Sequence, residues 1–305
     1  MTTKIQWTTE TWNYIVGCSE IRAGCNNCYA KQLAQSPRLA KFPQYQAVKE
    51  WDGTVVLVNK AIDLPLLRKK PCVYFVNSMS DLYHENVPEE WIDMGFGIMA
   101  MCPQHTFQII TKRDARMQEY LNQPRLVLLE KWYKAISRQY GLQWELDDSK
   151  SNIIRRRIES TFDGINPTIP LSNVWMGVSV ENQKAADSAI PTLINTKAAV
   201  RFLSCEPLLE KIDITHYLGW RDEQGKNLIN WVIVGGESGL RSRSCNFEWI
   251  EDIVNQCHKY NVPVFVKQLG KNSNWKTKHP QGGDINEFPK QLKVREFPFV
   301  DALLP

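Results

Sequence analysis

The sequence predicts an α/β fold in which short parallel strands alternate with helices, as a (β/α) barrel that is complete or partial. Three observations carry that expectation. Short β-branched runs recur along the chain, and helical segments lie between most of them. The runs are continuous rather than alternating, as strands buried on both faces must be, and such strands belong to parallel sheets covered by helices. Nearly every run also ends in polar or charged residues, which suits a barrel whose chemistry gathers at the carboxyl ends of its strands.

The first unit is the one the others are organised around. An apolar run from Tyr14 to Val16 leads to Gly17-Cys18, and beyond Gly24-Cys25-Asn26-Asn27-Cys28 a helical run begins at Tyr29 and continues to Leu33. Three of the eight cysteines thus share a strand-to-helix loop with the spacing C-x6-C-x2-C. Thiolates are soft ligands that select zinc, copper(I) or iron–sulfur clusters. With no fourth Cys or His nearby, a coordination position stays open, which suits a reactive centre better than a structural one. Structural zinc wants four protein ligands, so it would need His84 or Cys102 from afar. The residues favour a cluster and leave zinc, or unligated core cysteines, as alternatives.

A polar connection with Pro37 and Pro43 leads to a strand-like run at 54–58. The run at 72–76 ends in Asn77-Ser78-Met79-Ser80-Asp81, and Pro88-Glu89-Glu90-Trp91 opens a helix with its acidic residues at the N-terminus. The run at 107–111 ends in Lys112-Arg113, that at 174–180 in Glu181-Asn182, and that at 201–205 in Glu206-Pro207. The last two, at 231–234 and 262–266, end in Gly235-Gly236-Glu237 and in Lys267-Gln268. A glycine pair at a strand end suits close approach of a ligand to the backbone.

Between Lys112 and Val174 no strand is expected. Residues 114–121 read as a barrel helix, 125–140 as an amphipathic helix with a basic face, and Arg155-Arg156-Arg157 follow. This helical insertion, about 114–172, reads either as a solvated addition or as a lid that contacts nucleic-acid phosphates. The expected organisation is a barrel over 1–270 that carries the insertion, and an extension over 271–305 that packs back through the apolar stretch at 297–300.

Composition permits this plan. An apolar share of 43% with 11 Trp, 11 Phe and 10 Tyr supports a sizeable core. No charged-then-apolar leader and no apolar run near 18 residues is found, so a soluble, unprocessed, cytoplasmic chain without a membrane partner is expected. Eight cysteines in such a chain point to metal or reactive thiols in a reducing compartment. A net charge of +4 permits a polyanionic partner without demanding one.

The combination of Trp12-Asn13, Gly17-Cys18 and Gly24-Cys25-x-x-Cys28-Tyr29-Ala30 resembles the signature of the three-cysteine-motif proteins of phages and bacterial mobile elements, a radical-SAM-like family. Ile110-Thr111-Lys112-Arg113, the segments 173–182, 201–209 and 231–239, and 265–270 extend the resemblance over roughly residues 5–300. It implies a radical-SAM-like partial (β/α) barrel with a [4Fe–4S] cluster on Cys18, Cys25 and Cys28. The fourth iron would chelate S-adenosylmethionine (SAM), whose reductive cleavage gives a 5′-deoxyadenosyl radical. It further implies a flavodoxin- or ferredoxin-type reductant and a three-Cys-motif partner protein. Phage association and the basic insertion together suggest a nucleic-acid base or nucleotide as substrate.

Two departures from the superfamily pattern stand out. The first cysteine gap is six rather than three, with Asn27 before Cys28, and Ser78-Met79-Ser80-Asp81 replaces a Gly-Gly-Glu after the second strand. By strand position, Asp81, Glu206 and Lys267 are the expected catalytic residues, with Asp81 toward the methionine amine. Ser78, Ser179, Glu181, Asn182, Gly235, Gly236 and Glu237 are expected to bind the cofactor, Ser179 or Glu181 at the ribose. Glu181, Glu206, Glu237 and Lys267 should share one rim with the cysteines, around a cavity of roughly 300–1,000 Å³. A zinc-dependent enzyme, or a nucleic-acid-binding protein with a structural metal centre, are the alternatives.

Overall fold

The computed structural model describes residues 3, 5–141, 149–165, 167–239 and 241–298. Its strands are β1 (Glu10–Trp12), β2 (Ile15–Val16), β3 (Val56–Leu57), β4 (Val73–Val76), β5 (Thr106–Thr111), β6 (Val174–Ser179), β7 (Val200–Cys205), β8 (Trp231–Gly235) and β9 (Val264–Gln268). Seven of them form one sheet in the order β1-β4-β5-β6-β7-β8-β9, and every neighbouring pair is parallel. The sheet curls without β1 pairing to β9, which makes it a half-barrel. The partial barrel expected from the sequence is therefore the fold.

Three strand expectations need correction. The apolar run at 14–16 is not the first barrel strand; Glu10–Trp12 is, and Ile15–Val16 lies outside the parallel sheet. The run at 54–58 is not a barrel strand; only Val56–Leu57 is extended, and it pairs antiparallel with Ile15–Val16. No long helical crossover returns it to the parallel sheet. It instead supports a small lobe whose core is Val16, Ala30, Ala34, Val48, Trp51 and Met79. The last strand starts later than expected because the amide of Val262 bonds the carbonyl of Cys257, closing the preceding helix. Lys267 and Gln268 consequently lie within β9 rather than after it.

Helices α1 (Tyr29–Ala34), α2 (Pro43–Ala47), α3 (Asn59–Ile62) and α4 (Leu64–Leu67) fill the stretch between β1 and β4. The outer layer consists mainly of α5 (Glu89–Ala100), α6 (Asp114–Leu121), α7 (Arg125–Tyr140), α8 (Ser149–Ile158), α9 (Gln183–Ile194), α10 (Thr215–Leu218) and α11 (Phe247–Lys259). Period-2 alternation divides each strand between two cores. Tyr74, Phe107, Ile109, Met176, Leu203 and Val232 belong to the large core under the helices. Phe75, Trp175, Phe202, Trp231 and Phe265 meet inside the curl, with Trp7. Phe297 from the extension stacks on Trp231 with ring centroids 5.5 Å apart. Aromatic side chains therefore fill the lower lumen, and the same alternation puts Ser179, Ser204 and Lys267 further up.

The insertion packs on the outside of the barrel. Leu128, Leu129, Trp132 and Ile136 of α7 are buried, Trp132 stacks on Phe96 of α5, and its indole N–H donates to the Tyr120 hydroxyl at 2.8 Å. Its basic face is largely spoken for: Lys131 pairs with Glu89, Lys134 with Glu130, and Arg138 with Glu90. Arg157 donates to the carbonyl of Met101 at 2.6 Å. The insertion is thus a buttress on α5, and Arg157 a structural clasp. Phe299 and Val300, expected to pack back on the barrel, lie outside the described residues. Among the described residues, no helix is long and apolar enough to cross a membrane.

Candidate functional site

The cysteine loop leaves the small lobe at Gly17 and crosses the carboxyl ends of the parallel strands, held at five points. At the first, the Gly17 amide donates to the Met79 carbonyl at 3.0 Å. Gly17 has φ +97°, and a Cβ there would fall 2.1 Å from the Thr54 oxygen, so only glycine serves. At the second, beyond β6, the Gly24 amide donates to Glu181 Oε1 at 3.1 Å and Arg22 Nε lies 3.3 Å from the same oxygen. Glu181 approaches so closely that a Cβ on Gly24 would sit 3.0 Å from its carboxyl carbon.

The third point lies beyond β8. Asn27 Nδ2 donates to Glu237 Oε2 at 3.0 Å and to the Arg241 carbonyl at 2.8 Å. Arg243 pairs with Glu237 and donates to the Ala23 carbonyl at 2.9 Å. These donors hold the Glu237 carboxyl below its ordinary pKa, although burial alone would raise it. At the fourth, the Tyr29 hydroxyl donates to the Ser78 carbonyl beyond β4, at 2.7 Å. The fifth is Arg113 beyond β5, whose Nη1 lies 3.5 Å from Cys18 Sγ.

All three loop thiols are free and partly exposed, whereas the other five cysteines are buried. Burial pushes the Cys18 thiol up to about 12, helped by the charge of Asp81 and opposed by Arg113. Burial also raises Cys28, against the pull of the Lys31 and Ala30 amides and of Lys112. The thiols sense one another, Cys28 acting on Cys18 and Cys25 on Cys28. Among the described residues, no three His, Cys, Asp or Glu side chains are gathered as a group for a metal ion. The thiols are neighbours that do not converge on one point.

Next to Cys18, the Ser19 hydroxyl lies 2.8 Å from His84 Nε2, a distance that suits a nucleophile and its base. The polarity excludes that role. His84 Nδ1 accepts the Asn86 amide at 3.0 Å, so the neutral ring carries its proton on Nε2 and donates to Ser19. Burial and Arg113 lower the His84 pKa, which keeps the ring neutral at pH 7.

A family described as "Protein of unknown function (DUF5131)" matches residues 2–294. The chain belongs to the DUF5131 family. No curated protein and no solved structure matches it. The family match takes in the half-barrel, the insertion and most of the extension.

Within this DUF5131 chain, several residues expected at a cofactor have protein partners. Asp81 accepts from the Tyr83 amide at 3.0 Å, the Thr111 hydroxyl at 2.7 Å and the Lys112 amide at 3.0 Å, and pairs with Arg113. So saturated, it ties the end of β4 to that of β5. Asn182 caps α9, accepting the Ala185 amide at 2.8 Å, and the Ser78 hydroxyl donates to Asn13 Oδ1 at 3.1 Å. The glycine pair makes room for protein. A Cβ on Gly235 would meet the Gln268 oxygen at 2.8 Å and Glu206 Oε1 at 2.9 Å, and one on Gly236 the Leu269 oxygen at 2.6 Å.

What remains at the mouth of the DUF5131 barrel is a smaller set. Lys267 Nζ lies 3.1 Å from Glu206 Oε1, and Lys112 Nζ lies 3.1 Å from the Ser179 hydroxyl. Glu181 is fully buried, yet among the described residues its Oε2 has no hydrogen-bond partner; Glu206 Oε1, although close to Lys267, also lacks a well-directed donor among them. Sequence reasoning missed Arg22, Asn27, Lys112, Arg113 and Arg243 as site residues. For Lys112 and Arg113 a signal existed, the polar ending of β5. A cleft of about 600 Å³ lies away from this mouth, between His258–Pro263 ahead of β9 and Glu296–Pro298.

Proposed function

We propose that this protein is a radical-SAM-type enzyme that holds a [4Fe–4S] cluster on Cys18, Cys25 and Cys28 and binds SAM in the mouth of the half-barrel. One observation carries the reading: the loop with three free, partly exposed thiols is tied across the carboxyl ends of parallel strands by Glu181 and Glu237. Ligands of parallel barrels lie at that end. Three soft donors without a fourth suit a cluster with one open iron. The resemblance to a phage-associated radical-SAM-like family points the same way.

When bound and reduced, the cluster would supply the electron that cleaves the SAM sulfonium. The chain's own residues would do the rest. Glu181 Oε2, buried and without a partner among the described residues, would accept a ribose hydroxyl once the loop over it shifts to admit one. Lys112 and Ser179 would present donors beside it, and Lys267 and Glu206 would hold a proton close to the substrate. The aromatic filling of the lower lumen would exclude water from below.

The test is anaerobic reconstitution with iron and sulfide, metal and sulfide analysis, and assay for 5′-deoxyadenosine under reduction. About four irons per chain and SAM cleavage are expected, both lost when Cys18, Cys25 or Cys28 becomes alanine. Cys72→Ala and Cys257→Ala should retain the iron. Stoichiometric zinc in its place would refute the assignment.

A further inference from the structure

Arg113 closes the Thr111-Lys112-Arg113 motif at the end of β5 and has no part in the chemistry just described. Its side chain is 8% exposed. Nε donates to Glu85 Oε2 at 2.6 Å, Nη1 to Asp81 Oδ2 at 3.3 Å, and Nη2 to the Ser19 hydroxyl at 3.0 Å and carbonyl at 3.4 Å. The remaining contact of Nη1 is Cys18 Sγ, at 3.5 Å.

Two of the partners other than sulfur are themselves fixed. Asp81 is held by Tyr83, Thr111 and Lys112, and Ser19 by His84. The guanidinium is therefore held beside Cys18 by the protein, whatever the thiol carries. Arg22 on the loop and Arg243 beyond β8 are turned to Glu181 and Glu237. Hydrogen bonds to ligating sulfur, together with local charge, set the potential of an iron–sulfur centre, and residues beyond the ligands orient them.

We propose that Arg113 is a positioning residue that sets the reduction potential of the cluster through Cys18. The proposal rests on the cluster reading above. Reduction adds one electron, supplied by dithionite in the test or by a flavodoxin-type donor, and breaks no bond. The reduced centre carries one more negative charge, so a fixed cation and an N–H directed at the sulfur favour it over the oxidised form.

Arg113→Gln removes the charge and shortens the reach. It should lower the ratio of reduced to oxidised cluster at least tenfold at a given applied potential, a midpoint lower by about 59 mV for a one-electron couple. Arg113→Lys keeps the charge without the fork that reaches Cys18, and should lower the midpoint by a smaller amount. Wild type, R113Q and R113K, each reconstituted and analysed for iron, are titrated with dithionite and followed by electron paramagnetic resonance. An unchanged midpoint in iron-loaded R113Q overturns the inference, because a purely structural arginine would lower iron content and thermal stability without moving the potential. Should R113Q not load iron, R113K decides alone: a lowered midpoint supports the inference and an unchanged one overturns it. Wild-type protein that takes up no iron overturns the cluster reading and this inference with it, so the two failures are told apart.

Discussion

Glu181→Ala should loosen the cysteine loop even in metal-free protein. The substitution removes the acceptor of the Gly24 amide and the carboxylate facing Arg22. A half-buried amide left without its partner costs about 1–3 kcal/mol. The Arg22 loss is smaller, about 1 kcal/mol, because that side chain is 20% exposed and still donates to the Ser179 carbonyl. A local cost of about 3 kcal/mol raises the opening equilibrium roughly a hundredfold at 1.4 kcal/mol per decade. Hydrogen exchange at residues 22–27 reads it directly: about a hundredfold faster in E181A. In E181Q, which keeps an acceptor for Gly24 and loses the charge, exchange should be about tenfold faster. A double-mutant cycle with Arg22→Ala isolates the pair. Unchanged exchange in both variants, with coupling below about 0.5 kcal/mol, would show that the strand-end carboxylate does not hold the loop.

Two further outcomes test the scaffold around the site. Asp93 is raised from 3.8 to about 6 by burial, despite the Tyr120 hydroxyl that donates to it at 2.7 Å. A raised acid stabilises the fold most below its unfolded pKa, and that contribution fades as pH climbs through the folded one. Between pH 4 and pH 7 wild type should therefore lose roughly 2 kcal/mol relative to Asp93→Asn in urea denaturation, and parallel pH curves would refute the linkage. Gly177→Ala would place a Cβ 2.5 Å from the Phe202 ring inside the lumen, an overpacking expected to cost about 1–3 kcal/mol. Phe202→Leu should relieve part of that cost, and a fully additive double mutant would contradict the packing.

Parallel strands were legible because burial on both faces demands unbroken apolar runs, which few other elements share. The small antiparallel pair was not. Thr54-Val55-Val56-Leu57-Val58 is as β-prone as any barrel strand, and only its pairing with Ile15–Val16 gives it a different place. The cysteine loop does cross the strand ends, but the apolar run before Gly17 that suggested so belongs to the small antiparallel pair and not to the barrel. The role of the polar ends was only half legible. Asp81 and Asn182 look like ligand groups by position, yet their partners are the Lys112 amide and the Ala185 amide, which any residue would supply. The insertion's packing was illegible for a different reason. The basic stripe on α7 carries no sign in the sequence that the acidic N-terminus of α5, Glu89 and Glu90, lies against it.

The acids of the mouth divide their oxygens in a way that ties loop order to ligand binding. Glu181 gives Oε1 to Gly24 and Arg22 while its buried Oε2 has no partner among the described residues. Glu206 Oε2 accepts from Lys267 at 3.3 Å, and its Oε1 lacks a directed hydrogen bond. Oε2 is closed to solvent in this pose, so a ligand hydroxyl reaches it only when the loop over it shifts, and the Gly24 amide and Arg22 belong to that loop. Ligand binding and loop order are therefore linked through one carboxylate, and each must change the other by the same factor. It follows that E181A, beyond loosening residues 22–27, should abolish any change that SAM makes in the exchange of those amides. Arg22→Ala, which leaves Oε2 in place, should keep part of that change. An equal effect of SAM in wild type and E181A would separate the loop from the ligand and place the ribose elsewhere.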